Sequence, residues 1–298
     1  MSGSTSTSRS PERAGGAALA IERGDERYPR RLLDLEAPPP TIWAVGELAT
    51  VESPVIAIVG TRRSTAYGER VTRELAGALA RANVCVISGL ARGIDGTAHR
   101  AALDLSGRTA AVLGTGVELV FPAGHRAIQR RIGEVGLLLS ELPPRAHAHK
   151  GTFLSRNRII AALADVVIVV EAPHGSGALK TAEHANQLGR TIGVVPGPVD
   201  VPQSAGSNAL LRDSEAQVIA SPADALALVG ATPPVCSTPA PDDEDQARLW
   251  RALGSGPADL DTLCSRSGLP AQRCLAAVTG LELRGAVECL LTGEIRKR

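Results

Sequence analysis

Residues 84–95 carry the sequence Val84-Cys85-Val86-Ile87-Ser88-Gly89-Leu90-Ala91-Arg92-Gly93-Ile94-Asp95. Its apolar start predicts a buried β-strand, and the glycines at positions 89 and 93 predict a turn. Asp95 stands where a helix N-cap is expected, before a helix predicted over residues 96–103. A strand, a glycine turn and a helix N-terminus in succession form an anion site in many α/β proteins. We therefore expect the turn amides and Arg92 to bind phosphate; a plain βα turn without a ligand is the alternative.

Six further apolar runs have the length of strands, and helical patterns separate most of them. The strands are predicted at residues 42–46 (an edge strand), 55–60, 109–114, 137–141, 165–171 and 191–195, and the helices at 67–82, 124–133, 159–164 and 178–188. This alternation predicts an α/β fold with a Rossmann-like, doubly wound and mostly parallel sheet. Because ligands of such sheets bind at the carboxyl ends of the strands, the glycine-bearing loops should meet at one edge.

Composition divides the chain into four predicted segments. Residues 1–20 are rich in Ser, Thr, Gly and Ala and predict a disordered tail, and residues 21–230 form the Rossmann-like domain. Residues 231–245 are proline-rich and then acidic, which is typical of a linker. Leucines in residues 246–298 mark three short helices followed by a strand, the pattern of a small winged-helix-like domain. A helical cap or a dimerisation element is the alternative for this last segment.

Several classes of protein are disfavoured by the sequence. The net charge is +1, no apolar run is long enough to span a bilayer, and the five cysteines form no CxxC motif, so we expect a cytoplasmic protein. There is no Walker-type loop, no GxGxxG motif and no zinc-binding spacing of the six histidines. Ser176 does not lie in a nucleophile elbow. We therefore expect no metal, no cofactor and no catalytic residue.

A second cationic stretch precedes the apolar helix predicted at residues 159–164. It reads Lys150-Gly151-Thr152-Phe153-Leu154-Ser155-Arg156-Asn157-Arg158. Arginines in the first turn of a helix oppose its dipole, so an anion bound there would explain Arg156 and Arg158. Salt bridges to Glu141 or Asp165 are the alternative. We interpret Phe153 as a core residue, with stacking on a nucleic-acid base as the alternative.

An ordered set of motifs between Tyr28 and Ile219 resembles the DprA/Smf family of DNA-processing proteins. Besides residues 88–95, the set comprises Val59-Gly60-Thr61-Arg62, Ala98-His99, Phe121-Pro122, Arg156-Asn157-Arg158-Ile159-Ile160, Val170-Glu171-Ala172, Ser176-Gly177, Thr181-Ala182 and Val195-Pro196-Gly197. The segment from about residue 245 resembles the winged-helix domain that many members carry. Only 27 residues precede Tyr28, so we expect the helical N-terminal domain of some members to be absent, and Lys180 stands where the family usually has an apolar residue.

The resemblance implies an extended Rossmann fold that binds single-stranded DNA in a basic pocket at the loop edge of the sheet, without catalysis. It also implies a homodimer formed through the Rossmann domain, protection of incoming DNA, and loading of RecA recombinase during natural transformation. The residues implied to contact DNA phosphates or to line the pocket are Gly60, Arg62, Ser88, Gly89, Arg92, Gly93, Lys150, Arg156, Asn157, Arg158, Ser176, Gly177 and Thr181. With aromatic residues at 2% of the chain, we expect weak base stacking and an affinity that falls steeply with salt.

Two other functions remain open at this point. The first is a nucleotide-processing enzyme of the phosphoribohydrolase-like Rossmann superfamily, in which Asp95 or Glu171 would act on a nucleotide sugar. The Pro-Gly-Gly-x-Gly-Thr signature of those enzymes is missing from this chain. The second is an adaptor whose winged helix binds duplex DNA or another protein.

Overall fold

The computed structural model describes residues 17–52, 54–232, 243–284, 286–290 and 293–297, with the side chains of Lys150 and Ser255 left out. The chain divides into two compact units, Met1–Pro234 and Val235–Arg298. The strands of the first unit are β1 (Leu19–Glu22), β2 (Thr41–Gly46), β3 (Val55–Val59), β4 (Cys85–Ser88), β5 (Thr109–Val112), β6 (Leu137–Ser140), β7 (Val166–Val169), β8 (Thr191–Val194) and β9 (Gln217–Val218). Its α-helices are α1 (Ala66–Arg81), α2 (Ile94–Asp104), α3 (Arg126–Val135), α4 (Lys150–Leu163), α5 (Gly177–Gln187), α6 (Ala205–Asp213) and α7 (Pro222–Ala227).

These strands form one sheet in the order β1-β2-β6-β5-β4-β3-β7-β8-β9. The pairs from β6 to β9 are parallel, whereas β1–β2 and β2–β6 are antiparallel. From β3 the chain winds outward through β4, β5 and β6, and then returns to the other side of β3 with β7. The predicted doubly wound, mostly parallel α/β sheet is therefore confirmed, with its topological switch point between β3 and β7.

Burial on both faces explains why the central strands are continuously apolar. Every residue of β3, β4 and β7 is buried. Alternate residues of β3 face opposite layers, because successive side chains of a strand point to opposite sides. Val55, Ala57 and Val59 share a core with α4 and α5, while Ile56 and Ile58 share a core with α1, α2 and α7. The centre of the sheet is thus fixed between two helical layers, whereas the outer strands β1 and β9 expose side chains to solvent.

The first unit differs from the sequence-based prediction at two strands. Strand β2 is not an edge strand, because β1 pairs with it antiparallel, with Ile21 opposite Ile42. Ordered structure therefore begins at Leu19, inside the tail predicted over residues 1–20; residues 1–16 lie outside the described residues. The two-residue strand β9 was not predicted, because its side chains are exposed and it is too short to show a period.

Helix α4 begins at Lys150, nine residues before the helix predicted at 159–164. Residues 150–158 are too polar to extend the apolar pattern from which the helix was predicted, but they contain no helix-breaking proline. The hydroxyl of Thr152 accepts a hydrogen bond from the backbone N–H of His149 at 3.2 Å, which satisfies a donor at the helix start. Arg156 and Arg158 therefore lie in the second and third turns of α4, and the inference of an anion bound beside them at the helix start is wrong.

The second unit contains three helices followed by an antiparallel hairpin. The elements are α8 (Glu244–Ala252), α9 (Leu260–Ser267), α10 (Ala271–Leu283), β10 (Val287–Cys289) and β11 (Ile295–Lys297). They enclose a separate core that includes Leu249, Leu263, Val278 and Ile295. This is the winged-helix arrangement that the leucine pattern predicted. Helix α8 begins inside the linker predicted over residues 231–245, of which residues 233–242 lie outside the described residues. Within the described ranges, no helix has the length and apolar character needed to cross a membrane.

Candidate nucleic-acid interface

A pocket of about 450 Å³ opens at the carboxyl edge of the sheet, beside the switch point between β3 and β7. The loop after β3, the turn after β4, the middle of α4 and the start of α5 form its walls. Ligands of doubly wound sheets bind at this position. The pocket brings together seven residues of the predicted site: Gly60, Arg62, Arg156, Asn157, Ser176, Gly177 and Thr181.

Arg62 and Phe153 line this pocket, and Phe121 lies outside the lining in contact with Phe153. The guanidinium carbon of Arg62 lies 5.4 Å from the ring centroid of Phe153, and the Phe153 and Phe121 ring centroids are 5.2 Å apart with planes tilted by 39°. Arg62 is exposed, Phe121 is 47% exposed and Phe153 is half-buried. The interpretation of Phe153 as a core residue is therefore wrong. Phe153 is far from Arg62 and Phe121 in the sequence, so its contacts with them could not be predicted before the tertiary structure was known.

Arg156 is a buried cation beneath the pocket rather than a free one. It is 5% exposed, and its Nη1 donates to the backbone oxygens of Gly89, at 2.6 Å, and Val112. Its Nε donates to Oδ1 of Asn157 at 3.1 Å. Burial lowers the pKa of Arg156 to about 10, and the nearby Asp95 carboxylate opposes this shift. The guanidinium therefore ties α4 to the strand ends.

Asp95 is not a helix N-cap, because α2 begins at Ile94 and its N-cap is Gly93. Its Oδ2 instead accepts hydrogen bonds from the N–H groups of Gly89 at 3.2 Å and Ala91 at 3.4 Å. Burial raises the pKa of Asp95, and the Arg156 charge acts in the opposite direction. Two of the turn amides expected to bind phosphate are thus already bonded within the protein. The prediction that the amides of the turn bind phosphate is therefore wrong for Gly89 and Ala91.

The glycines of this region make room for protein atoms. A Cβ atom on Gly89 would lie 2.0 Å from Nη2 of Arg156, and a Cβ on Gly60 would lie 2.5 Å from Cγ1 of Ile94. Gly93 has a φ of +75°, and a Cβ there would lie 2.3 Å from the backbone oxygen of Thr61. The hydroxyl of the buried Ser88 donates to the backbone oxygen of Ile58 at 2.6 Å. Ser88, Gly89 and Gly93 therefore do not line the pocket. They support it by packing against, or bonding to, the residues behind its wall.

The start of α5 forms the opposite wall. Ser176 is its N-cap, and its Oγ accepts a hydrogen bond from the N–H of Ala178 at 3.3 Å. Nδ2 of Asn157 donates to the backbone oxygen of Gly177 at 3.0 Å, and the Thr181 hydroxyl donates to the same oxygen at 3.5 Å. This N-terminus carries the partial positive charge of its helix. Asn157 therefore links α5 to Arg156 and holds the wall in place.

Three predicted contacts lie elsewhere or outside the description. Arg92 is exposed in the neighbouring turn and does not line the pocket. Arg158 pairs with Glu141 at 2.5 Å and donates to the backbone oxygen of Ala37 at 3.0 Å, which is the salt-bridge alternative for this residue. The side chain of Lys150 lies outside the described residues. Lys180 pairs with Glu183 at 2.6 Å on the surface of α5.

Glu171 holds the loop that carries Arg62. It is 1% exposed, its Oε2 accepts from the N–H of Thr65 at 2.9 Å, and its Oε1 accepts from the Thr65 hydroxyl at 2.6 Å. Its backbone oxygen accepts from the N–H of Thr61 at 2.6 Å. In the sequence, Glu171 is an acidic residue directly after the apolar run 166–170, and this position indicates a functional or structural role for its carboxylate. The structure gives both carboxylates of the enzyme alternative, Glu171 and Asp95, bonds within the protein.

We expect Glu171→Ala to lower the free energy of unfolding by about 1–3 kcal/mol, because the half-buried N–H and hydroxyl of Thr65 lose their acceptors. Urea denaturation measures this loss. Glu74→Ala is the control, since Glu74 forms an exposed ion pair with Arg70 at 3.2 Å. A loss in Glu171→Ala no larger than that of the control would contradict the role in holding the loop.

Comparison with known proteins agrees with this geometry. The family model described as DNA recombination-mediator protein A matches residues 20–230, and the DprA winged helix domain matches residues 231–290. A putative DNA processing protein DprA of Mycobacterium tuberculosis is 42% identical over 261 residues, covering 84% of this chain and 67% of that protein. The protein Smf of Escherichia coli is 35% identical over 289 residues, covering 93% of this chain and 77% of Smf.

Two solved structures share the fold of this chain. DNA processing protein A from Streptococcus pneumoniae superposes with a TM-score of 0.67 at 35% identity, covering 70% of this chain and 73% of that one. DNA processing protein A from Helicobacter pylori, described as having a unique single-stranded DNA binding mode, superposes with a TM-score of 0.66 at 30% identity, covering 72% and 97%. Fold, family model and identity agree, and the chain belongs to the DprA/Smf family of DNA-processing proteins.

Proposed function

We propose that this protein binds single-stranded DNA in the pocket between β3 and β7. The observation that carries the proposal is the exposed Arg62 guanidinium over Phe153, with Phe121 beside it, at a pocket next to a helix N-terminus. An exposed arginine can contact a backbone phosphate, and an exposed aromatic ring can stack on a base. Only an unpaired base offers a face for such stacking. The single-stranded DNA binding of the Helicobacter pylori relative supports the same assignment.

Different residues take different parts in this proposal. Arg62 contacts phosphate, Phe153 and Phe121 stack on bases, and Ser176 and Gly177 form the electropositive wall at the start of α5. Arg156 and Asn157 position the walls, because their hydrogen bonds are directed within the protein. Arg92 is a peripheral phosphate contact. The low aromatic content led us to expect weak base stacking. We propose instead that stacking occurs at one place, on the rings of Phe153 and Phe121.

The proposal includes the finer functions that the family resemblance implies. We propose that the protein acts in the cytoplasm without catalysis, protects incoming DNA and promotes the loading of RecA recombinase. We also propose a homodimer formed through the first unit. Strand β9 supports the dimer, since it ends the sheet and leaves Val218 55% exposed. Light scattering after gel filtration, with Val218→Asp as the variant, tests the dimer separately from DNA binding.

Titration of labelled single- and double-stranded oligonucleotides at about 50 and about 200 mM salt tests the main assignment. We expect tighter binding of the single strand at both concentrations and an affinity that falls with salt. Equal affinity for both DNA forms would overturn an assignment that depends on unpaired bases. Incubation with nucleoside monophosphates tests the enzyme alternative, and release of free base would overturn the proposed absence of catalysis.

We expect Arg62→Ala to weaken single-strand binding by about 3- to 10-fold and to make the slope of log affinity against log salt shallower by about 0.7, the loss of one phosphate contact. Arg92→Ala should change affinity less than Arg62→Ala, because Arg92 lies outside the pocket wall. Arg130→Ala is the control with the same change in charge, since Arg130 lies exposed on α3 and pairs with Glu134 at 3.5 Å. Equal effects in all three variants would indicate a diffuse charge effect and contradict the site.

A further inference from the structure

The winged-helix unit contains an arginine cluster that the pocket between β3 and β7 does not involve. A cavity of about 400 Å³ is lined by Arg248 and Arg251 of α8, Arg266 of α9, and the neighbouring Ala252 and Ser267. Ala252 and Ser267 are the last residues of α8 and α9. The last turns of these helices carry Arg251 and Arg266, and Arg248 lies one turn earlier in α8. We refer to these three residues as the arginine pocket.

Among the described residues, the arginines of this pocket make no ion pair, unlike Arg273 and Arg296 of the same unit. Hydrogen bonds from Thr262 lower the pKa of Asp259, and the charge of Arg266 adds to this shift from beyond ion-pair distance. Arg273 makes two 2.6 Å contacts with the Asp245 carboxylate, and Arg296 pairs with Glu288. In the part of the chain that the structure describes, no carboxylate forms an ion pair with Arg248, Arg251 or Arg266. Arg251 donates from Nε to the backbone oxygen of Ala247 at 3.3 Å, which leaves its charge uncompensated by an acid.

Stabilisation of the helix ends accounts for only part of this arrangement. A cation near a helix C-terminus interacts favourably with the helix dipole, which suits Arg251 and Arg266. It does not require three arginines to converge on one cavity. Arg248 also packs over the backbone, since a Cβ on Gly268 would lie 3.0 Å from its Nη2. The three arginines thus place three positive charges around one cavity.

The helix that usually reads DNA in this fold has the wrong surface for that task. In helix-turn-helix proteins the recognition helix enters the major groove. Here that position belongs to α10, whose only cation, Arg273, is held by Asp245. Its exposed side chains include Leu275 at 55% and Leu283 at 85% exposure. Because this face of α10 is apolar, its contact with the phosphates of a DNA groove would contribute little to binding affinity.

We propose that the arginine pocket is a second nucleic-acid site, which binds the phosphodiester backbone through the ends of α8 and α9 rather than through α10. The pocket lining contains no aromatic ring, and Trp250 of α8 is covered by Lys297, whose Nζ lies 4.2 Å from the ring centroid. Backbone contacts by arginine carry no direct sequence information. This site therefore binds duplex DNA without sequence preference, and its occupation does not depend on the single-strand pocket.

The test compares two full-length variants that each lose two positive charges from the same unit. Arg251→Gln/Arg266→Gln removes the arginine pocket, and Arg273→Gln/Arg296→Gln removes two arginines that already have acidic partners. Labelled duplex is titrated against each protein at about 50 and about 200 mM salt. We expect the first variant to lose about 3- to 10-fold in affinity and about 1.8 in the magnitude of the salt slope, and the second to change far less. Thermal melting confirms that both variants are folded.

Two outcomes would overturn the proposal. Equal duplex affinity in the two variants would mean that the cluster does not bind DNA, whether or not the single-strand pocket does. Full displacement of the duplex by millimolar inorganic phosphate at constant ionic strength would mean that the site takes free phosphate rather than a polynucleotide. Because Phe153→Ala impairs only the single-strand pocket, repeating the duplex titration in that background keeps the two sites distinguishable.

Discussion

Arg156→Met should lower the free energy of unfolding by about 3–5 kcal/mol, the largest stability effect that we expect for this chain. The substitution keeps much of the side-chain volume but removes a buried cation. The Asp95 carboxylate then loses its nearby positive charge, and the backbone oxygens of Gly89 and Val112 lose a donor. Urea denaturation measures the loss. The family resemblance implied a DNA contact at Arg156, whereas its burial makes it part of the fold.

Arg158→Met is the matched control on the same helix. Arg158 pairs with Glu141, and its side chain is 22% exposed. Solvent reaches this pair only in part, so we expect a cost of about 1 kcal/mol, at the upper end for a surface ion pair and below that of Arg156→Met. Similar losses in the two variants would contradict the assignment of Arg156 as the buried member.

The pH dependence of Arg156→Met follows from Asp95. Burial already raises the pKa of this carboxyl in the folded protein, and removal of the neighbouring cation raises it further. The folded state then binds a proton at Asp95 more tightly than the unfolded chain does. Stability lost at neutral pH should therefore return in part as the pH falls through the raised pKa. Arg156→Met/Asp95→Asn should recover part of the loss already at neutral pH, and a deficit unchanged by both acid and Asp95→Asn would contradict this account.

Phe153→Ala should weaken binding of single-stranded DNA by about 5- to 150-fold, which corresponds to about 1–3 kcal/mol of base stacking. The substitution removes the ring that lies under Arg62 and beside Phe121. It removes no charge, so the salt slope should stay unchanged. This separates it from Arg62→Ala, which should flatten the slope. Fluorescence anisotropy at several salt concentrations measures both quantities.

Leu154→Ala provides the control for Phe153→Ala. Leu154 is the next residue on α4, lines the same pocket and is 53% exposed. It offers no aromatic face, so its truncation should have a small effect. Phe153→Tyr should retain most of the affinity, because the ring is kept. A loss in Phe153→Ala that Leu154→Ala reproduces would contradict stacking as the source of the affinity.

The regular part of the first unit followed from the sequence. Strands β3, β4 and β7 are covered on both faces, so burial imposes an unbroken apolar run that is visible in any single sequence. The alternation of such runs with helices leaves few topologies and predicts the edge at which ligands bind. The strands at the two ends of the sheet, β1 and β9, were not predicted. Most of their side chains are exposed, so these short segments show no apolar run.

The sequence by itself determined the α/β class, the strand ends that form the ligand edge and the family to which the motifs belong. Only the tertiary structure decided which cations reach that edge. Arg156 and Arg158 lie two positions apart on α4, or about 200° around the helix, so one enters the interior and the other pairs with Glu141. Arg62, Phe153 and Phe121 come together from separate loops and a helix. Such contacts depend on the packing of distant segments, which leaves no periodic trace in the chain.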